Sequence, residues 1–259
     1  MGYKHILFER RDRVARITLN RPPVNVLNID MMREINDALE GLVDDRAVKV
    51  LVLEAAENSK LFSAGVDVAE HTAERVKEMI ETFHRMFRLL DQLEIPTVAV
   101  VDGAALGGGC ELALFCDMVV ASEKASFGQP EIQVGVLPPI AAVALPAICG
   151  PKKTFEMVLI GDRVKAAEAE RLGLVNVVVP PEQLRTTAEA LVGKLANLSG
   201  VILRLAKRAV REGMSHAGHF GEALAAVEAL YLGPLMATDD VHEGLAAFAE
   251  KRAPAWKDR

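Results

Sequence analysis

Short β-branched runs alternate with amphipathic helical stretches through the first three-quarters of this chain, and that order narrows the possible folds more than any single residue does. Val14–Leu19 alternates roughly as a half-buried strand, and Arg21-Pro22-Pro23 ends it because proline cannot donate to a ladder. Asn28 or Asp30 can cap a helix whose apolar positions Met31, Ile35, Leu39 and Leu42 fall on one face. Residues 48–53 read as a compact strand. A loop through Asn58, Ser59 and Gly65 follows, then a helical pattern over residues 72–93 that stops at Pro96. Residues 97–101 and 118–121 are further short strands. Strand, helix, strand in this order implies right-handed crossovers and a largely parallel sheet.

After Gly150 the pattern is helical apart from one strand over residues 174–179. Helices are expected over residues 182–198, 201–211, 220–231 and 241–250, with turns at Pro180-Pro181, Ser199-Gly200 and Gly233-Pro234. The 259 residues therefore divide into an α/β core over residues 1–195 and a helical C-terminal region over residues 196–259. With 51% hydrophobic and 25% charged residues the chain has globular rather than disordered composition, and with 5% aromatics its core must be mostly aliphatic. The net charge of −6 argues against broad electrostatic binding of nucleic acid, so an anionic ligand needs a local basic patch. Cys110, Cys116 and Cys149 are odd in number and form no CxxC, which points to neither a disulfide framework nor a zinc site and suits a reducing compartment. Residues 1–16 lack a continuous apolar run. The longest uncharged stretch, residues 134–150, is too short and too broken by Pro138, Pro139 and Pro146 to span a bilayer. The expectation is a cytoplasmic protein without membrane contact.

Chemistry concentrates around Gly107-Gly108-Gly109-Cys110-Glu111, between a strand and a short apolar helix over residues 110–115. Glycines there let backbone approach a ligand, and a helix start aims unpaired N–H groups at whatever lies in front of it. Tight packing of helix on sheet explains the same glycines equally well. The spacing matches neither a dinucleotide fingerprint nor a P-loop. Glu111 stands alone among apolar residues, either on a solvated first turn favoured by the helix dipole or buried with a raised pKa. Glu131, in Phe127-Gly128-Gln129-Pro130-Glu131-Ile132, is a second isolated carboxylate, although a lone loop glutamate is more often solvated. Paired, the two resemble an acid/base couple, a pairing that spacing alone does not establish.

Other signals carry less. Gly213-Met214-Ser215-His216-Ala217 lacks the last glycine and the preceding strand of a nucleophile elbow. Cys110 at a helix N-terminus could serve an acyl transferase, but small buried cysteine is the commoner case. His216 and His219 share a helix face without a third ligand, so no metal site is expected. Lys152-Lys153, the stripe Arg204, Lys207, Arg208 and Arg211, and Lys251-Arg252 read as solvated faces, any of which could meet a phosphate.

Taken in order, Phe62-Ser63-Ala64-Gly65-Val66-Asp67, Pro96-Thr97-Val98-Ala99-Val100-Val101-Asp102-Gly103, Ala105-Leu106-Gly107-Gly108-Gly109-Cys110-Glu111-Leu112, Cys116-Asp117 and Phe127-Gly128-Gln129-Pro130-Glu131 resemble the enoyl-CoA hydratase/isomerase (crotonase) superfamily. The resemblance continues through Leu159-Ile160-Gly161-Asp162, Ala167-Glu168-Ala169, Gly173-Leu174-Val175 and Phe248-Ala249-Glu250-Lys251-Arg252, nearly the whole chain. It implies an α/β fold, a crotonase-like spiral of ββα units with a helical C-terminal extension, assembled as a homo-oligomer, a trimer or dimer of trimers. It implies an oxyanion hole from the backbone N–H groups of Val66 and Gly108 for an acyl-CoA thioester. Val66 stands where alanine is commoner, a mild departure because the donor is backbone.

Glutamate at both Glu111 and Glu131 resembles the hydratases, in which Glu111 would deprotonate the attacking water and Glu131 would protonate carbon. No metal or redox cofactor is implied, CoA being part of the substrate. The stretch after Glu131 departs from the ordinary Gly-rich pattern: Pro138, Pro139 and Ile140 stiffen and fill the acyl-pocket wall. Together with Ala64, Asp67, Val68 and Ala69, this segment is similar to cyclohexa-1,5-diene-1-carbonyl-CoA hydratases. The implied activity is hydration of that cyclic dienoyl-CoA or of a general enoyl-CoA. The alternatives are double-bond isomerisation through one glutamate and a non-catalytic RNA-binding role, against which the acidic charge and both glutamates weigh.

Overall fold

The computed structural model describes residues 2–215, 224 and 230–259. Six strands form the main sheet. β1 (Ile6–Arg11) and β2 (Val14–Leu19) make an antiparallel hairpin, and β2 then pairs in parallel with β3 (Val50–Ala55). β4 (Thr97–Val101) lies next to β3; β6 (Met118–Ser122) and β9 (Val177–Val179) complete the parallel run. β5 (Ala104–Leu106), β7 (Ser126–Gly128) and β8 (Arg163–Lys165) form a second sheet in the order β5-β7-β8.

The β-branched runs are continuous because both faces of the main sheet are covered. Val50, Val52, Val98 and Val120 point one way, against Leu184, Ala188 and Val192 of α6 (Pro181–Ala196). The intervening Leu51, Leu53, Ala99, Val119 and Ala121 point into the main core. There they share the core with Met31, Ile35, Leu39 and Leu42 of α1 (Ile29–Val43) and Met79, Phe83, Met86 and Leu90 of α2 (Val76–Gln92). Asn28, not Asp30, caps α1, its side chain accepting from the Met31 N–H.

Several expectations need correction. β1 was not anticipated, because charges at Glu9, Arg10 and Arg11 interrupt its alternation and its turn is Asp12-Arg13. Those two residues take φ of 50° and 68° without the usual glycine. The strand expected at 48–53 runs two residues later, α2 starts at Val76, and the strand expected at 174–179 is paired only at Val177–Val179. The strands of the second sheet have three residues each, too few to show a period, and β8 is a second strand after Gly150, where one was expected. The uncharged run over 134–150 becomes the start of α4 (Pro139–Ile160), which kinks where Gly150 takes φ 76° ahead of Pro151. α3 (Gly108–Leu114) begins inside the glycine triplet. The helix expected at 220–231, like His216 and His219, falls largely outside the described residues.

The basic stripe of α7 (Gly200–Ser215) is solvated at Arg208 but not at Arg204 and Lys207. Arg204 is buried and donates to the carbonyls of Asp45, Arg46 and Val48; Lys207, also buried, donates to Ile95 O and pairs with Asp117 at 2.6 Å. A buried cation requires such partners. Lys49 follows the same rule, with Leu198 O at 2.6 Å and Asp258 at 2.9 Å. Asp258 also accepts from Gly200 N–H and Arg13, while Asp240 at the start of α8 (Asp239–Glu250) accepts from Ser199 Oγ and the N–H groups of Lys257 and Asp258. The last residues of the chain are thereby tied to the N-terminal strands. Replacing Asp258 by Ala strands the Lys49 ammonium in the core and is expected to cost about 3 kcal/mol in urea unfolding, part of which the additional change Lys49→Met should restore. Unchanged stability of Asp258→Ala would show that the Lys49 pair is not a structural tie.

Candidate active site

Residues 63–67 run between residues 24–27 and β5, with bridges Ser63 to Ala105 and Val66 to Leu27. On one edge Ser63 N–H donates to Ala104 O and Leu106 N–H to Ser63 O; on the other, Leu27 N–H donates to Gly65 O and Asp67 N–H to Leu27 O. The residue between two such bonded neighbours turns its own N–H and C=O away, so Val66 N–H faces the edge where β5 passes into α3. Gly108 opens α3, where first-turn N–H groups have no intrahelical acceptor. Among the described residues, neither Val66 N–H nor Gly108 N–H has a backbone acceptor.

Close approach accounts for the glycines. A Cβ on Gly65, whose φ is 94°, would stand 2.8 Å from Leu106 O and 3.4 Å from Gly108 N. One on Gly108 would stand 2.8 Å from Val66 Cγ2, and one on Gly109 only 2.5 Å from Ser63 Cβ. Tight packing and exposed donors, which sequence left as alternatives, are therefore the same feature.

Glu111 faces inward from α3 and is 4% exposed. Its Oε1 accepts from Ala141 N–H at 2.7 Å, in the first turn of α4. Pro138-Pro139 starts that helix at the one place where a missing N–H costs nothing. Burial pushes the Glu111 carboxyl up to about 8, with the neighbouring Glu131 charge adding to the rise and the Ala141 and Ile140 N–H groups opposing it. Glu131 lies in the 3₁₀ turn Pro130–Val134 that follows β7. Its Oε2 is buried without a hydrogen-bond partner, and a Cβ on Gly107 would stand 2.6 Å from its Oε1. Burial pushes this carboxyl up to about 7. A small cavity beside Glu111, with room for about one water molecule, is lined by Leu114, Phe115, Ile140, Ala144 and Leu145, with Gln129 its other polar wall. Two carboxyls raised in this way hold about one proton between them near neutral pH, which makes one an acid and the other a base.

The remaining expected residues divide. Ile140 lines the cavity; Pro138 and Pro139 act on its wall by starting α4. Ala64 N–H is spent on Val24 O. Asp67 accepts from Ala69 N–H at 3.1 Å and faces Arg21 at 3.8 Å, while Val68 and Ala69 are exposed. Gln129 was not singled out, although it stands in the motif quoted for Glu131; it is fully buried and both polar atoms of its amide are unpartnered. Cys110 is fully buried, and burial pushes its thiol well up, contrary to what a thiolate nucleophile needs. Lys153 is paired with Glu156 and Glu168, and Arg252 with Glu243 and Glu250. Among the described residues no three His, Cys, Asp or Glu side chains gather as a metal cluster, and no helix is long and apolar enough to cross a membrane.

The enoyl-CoA hydratase/isomerase family model matches residues 9–259. The crotonyl-CoA hydratase of Syntrophomonas wolfei is 38% identical over 257 residues, 97% of each chain, and the probable enoyl-CoA hydratase of Rhizobium meliloti is 40% identical over the whole of both. The crystal structure of enoyl-CoA hydratase from Bacillus anthracis superposes with a TM-score of 0.92 at 32% identity, covering 99% of this chain and 100% of that one. The family match covers residues 9–259 and the structural likeness nearly the whole chain, and on them the chain belongs to the enoyl-CoA hydratase/isomerase family with the crotonase fold.

Proposed function

We propose that the protein is a hydro-lyase that adds water across the α,β double bond of an enoyl-CoA thioester. The observation that carries this reading is the pair of buried carboxylates, both with raised pKa, beside two backbone N–H groups without acceptors. The crotonyl-CoA hydratase named above, at 38% identity, supports it.

In this reading the thioester oxygen accepts from Val66 and Gly108 N–H. The reaction uses the state in which the shared proton lies on Glu131, the less populated one in the free protein because burial raises Glu111 further. In it ionised Glu111 takes a proton from water, whose oxygen bonds to Cβ while the alkene electrons move toward the thioester and make its oxygen enolate-like. Protonated Glu131 then gives its proton to Cα as the enolate collapses. Each backbone donor is worth about 3 kcal/mol of barrier because it strengthens as charge develops. Addition of water leaves the substrate's net oxidation state unchanged, so CoA enters as part of the substrate and no redox cofactor is required.

The finer reading is a cyclic dienoyl substrate, cyclohexa-1,5-diene-1-carbonyl-CoA. Its support is the Pro138-Pro139 start of α4, which fixes Ile140 as a rigid wall of a compact cavity. A trimer-based homo-oligomer in the cytoplasm completes the proposal, supported by the apolar surface of α4 at Val143, Phe155, Leu159 and Ile160 and by three free cysteines.

Glu111→Gln and Glu131→Gln should each lower kcat by roughly 10²–10⁴-fold while acyl-CoA binding persists in calorimetry. Near-normal turnover in either variant would refute the two-carboxylate mechanism, and product lacking solvent ¹⁸O would favour isomerisation. Below about pH 7 both carboxyls are protonated and the base is lost; above about pH 8 both are ionised and the acid is lost. The rate of the wild-type enzyme should therefore peak between those values, and a rate still rising beyond pH 9 would exclude a carboxylic acid donor. For the ring, kcat/KM with cyclohexadienoyl-CoA should exceed that with crotonyl-CoA; the reverse order removes the cyclic assignment.

A further inference from the structure

The segment that carries the Val66 N–H leaves the body of the protein immediately afterwards. Val68 is 64% exposed and residues 72–78 are all exposed. Between Gly65 and Met79 a single residue is buried, and it is charged: Glu70, 5% exposed. It ends the 3₁₀ turn Val68–Glu70, and its own N–H donates to Asp67 O. Its Oε2 accepts from Ile29 N–H at 2.8 Å, and its Oε1 faces Arg75 at 3.1 Å.

Ile29 is the first residue of α1, so its N–H is one of the donors that helix geometry leaves unpaired, and the helix dipole favours a carboxylate there. Two ties therefore grip the loop along one short stretch of chain. Leu27 holds Gly65 O and Asp67 N–H on either side of Val66, and Ile29 holds Glu70 three residues farther on. An apolar side chain would suffice to keep an exposed loop packed, as Met79 does at the start of α2. A carboxylate is costlier to bury, and what it adds is a bond of fixed direction.

We infer that Glu70 is a positioning residue for the Val66 N–H, holding the turn after it against the N-terminus of α1. The inference rests on the reading of Val66 as an oxyanion donor. Without the Glu70 bond the turn over residues 68–70 pivots about Leu27 and the aim of the Val66 N–H is lost. Because that donor acts most strongly in the transition state, the loss falls on kcat rather than on KM.

The test compares Glu70→Ala, Glu70→Asp and Glu70→Gln in the full-length protein. Turnover is measured with crotonyl-CoA, and carbonyl polarisation is read from the absorption band of bound cinnamoyl-CoA, which moves to longer wavelength as the thioester oxygen is hydrogen-bonded. Glu70→Ala, and Glu70→Asp with its carboxylate one methylene short of Ile29, should lower kcat by roughly 10–100-fold and shrink the red shift at saturating ligand. KM should stay within about threefold. Glu70→Gln, whose amide oxygen can still accept from Ile29 N–H, should restore both kcat and the red shift. A wild-type protein that binds cinnamoyl-CoA with no red shift would remove the oxyanion reading and this inference with it. A normal wild-type shift that Glu70→Ala or Glu70→Asp leaves unaltered would overturn the role of Glu70 alone. If Glu70→Ala does not fold, Glu70→Asp against Glu70→Gln decides: equal kcat and equal shift in those two would overturn it.

Discussion

How closely two backbone segments can approach at residues 65–66 and 107–109 determines the rest of the site. With Gly65, Gly108 and Gly109 lacking side chains, the segment after Ser63 lies directly against the start of α3, and two N–H groups are left facing one region. Gly107 admits the Glu131 carboxylate to that same region. The second sheet exists largely to enforce this arrangement. β5 leads into α3 and β7 leads into the Glu131 turn, and Gly107 N–H bonds Gly128 O where the two strands end.

Against this frame the carboxylates are placed where burial disfavours their charge. Glu111 receives partial compensation from the first turn of α4, whose N–H groups lower a pKa that desolvation has raised. Glu131 has a buried oxygen with no partner, and burial holds its carboxyl up against the one backbone hydrogen bond that lowers it. A protein selected only for stability would place neither group here, since buried ionisable groups are a cost that the core must offset. The aliphatic core between α1, α2 and the main sheet offsets it, and two carboxyls with raised pKa, the property the proposed acid and base need, are what the offset makes possible.

What sequence conveyed and what it did not follows from the length of each signal. The parallel sheet was legible because its strands are apolar on both faces and alternate with helices of 15 and 17 residues. The second sheet left no trace in periodicity, since its strands have three residues each. Arg204 and Lys207 depart from the solvated reading of the α7 stripe because Arg and Lys patterns look the same whether they meet water or buried carbonyls, and only the tertiary fold brings residues 45–48 and 95 to these two. Glu111 and Glu131 were visible as isolated carboxylates, but they lie on a helix and on a separate turn, and β7 is what brings them together. Glu70 and Gln129 are not legible in the sequence because nothing local distinguishes a buried polar residue from an exposed one in a loop.

The division of labour within the proposed reaction has a consequence for specificity. In that reaction the donors to the thioester are backbone atoms, one held on the paired segment over residues 63–67 and the other at the start of α3, and both proton-transfer groups sit on elements locked to β5 and β7. Neither can change with the acyl group without disturbing the sheet that carries it. Variation is left to the side chains that surround these fixed points, principally the start of α4, where Ile140 forms a wall and Ala141 holds Glu111. A substitution at Pro138 or Pro139 that re-aims the first turn of α4 therefore acts twice, on the shape of the wall and on the N–H that tempers the Glu111 carboxyl. Acyl selectivity and acid/base strength are coupled at that turn by the backbone they share, whereas Ile140 can change size with less effect on the proton balance.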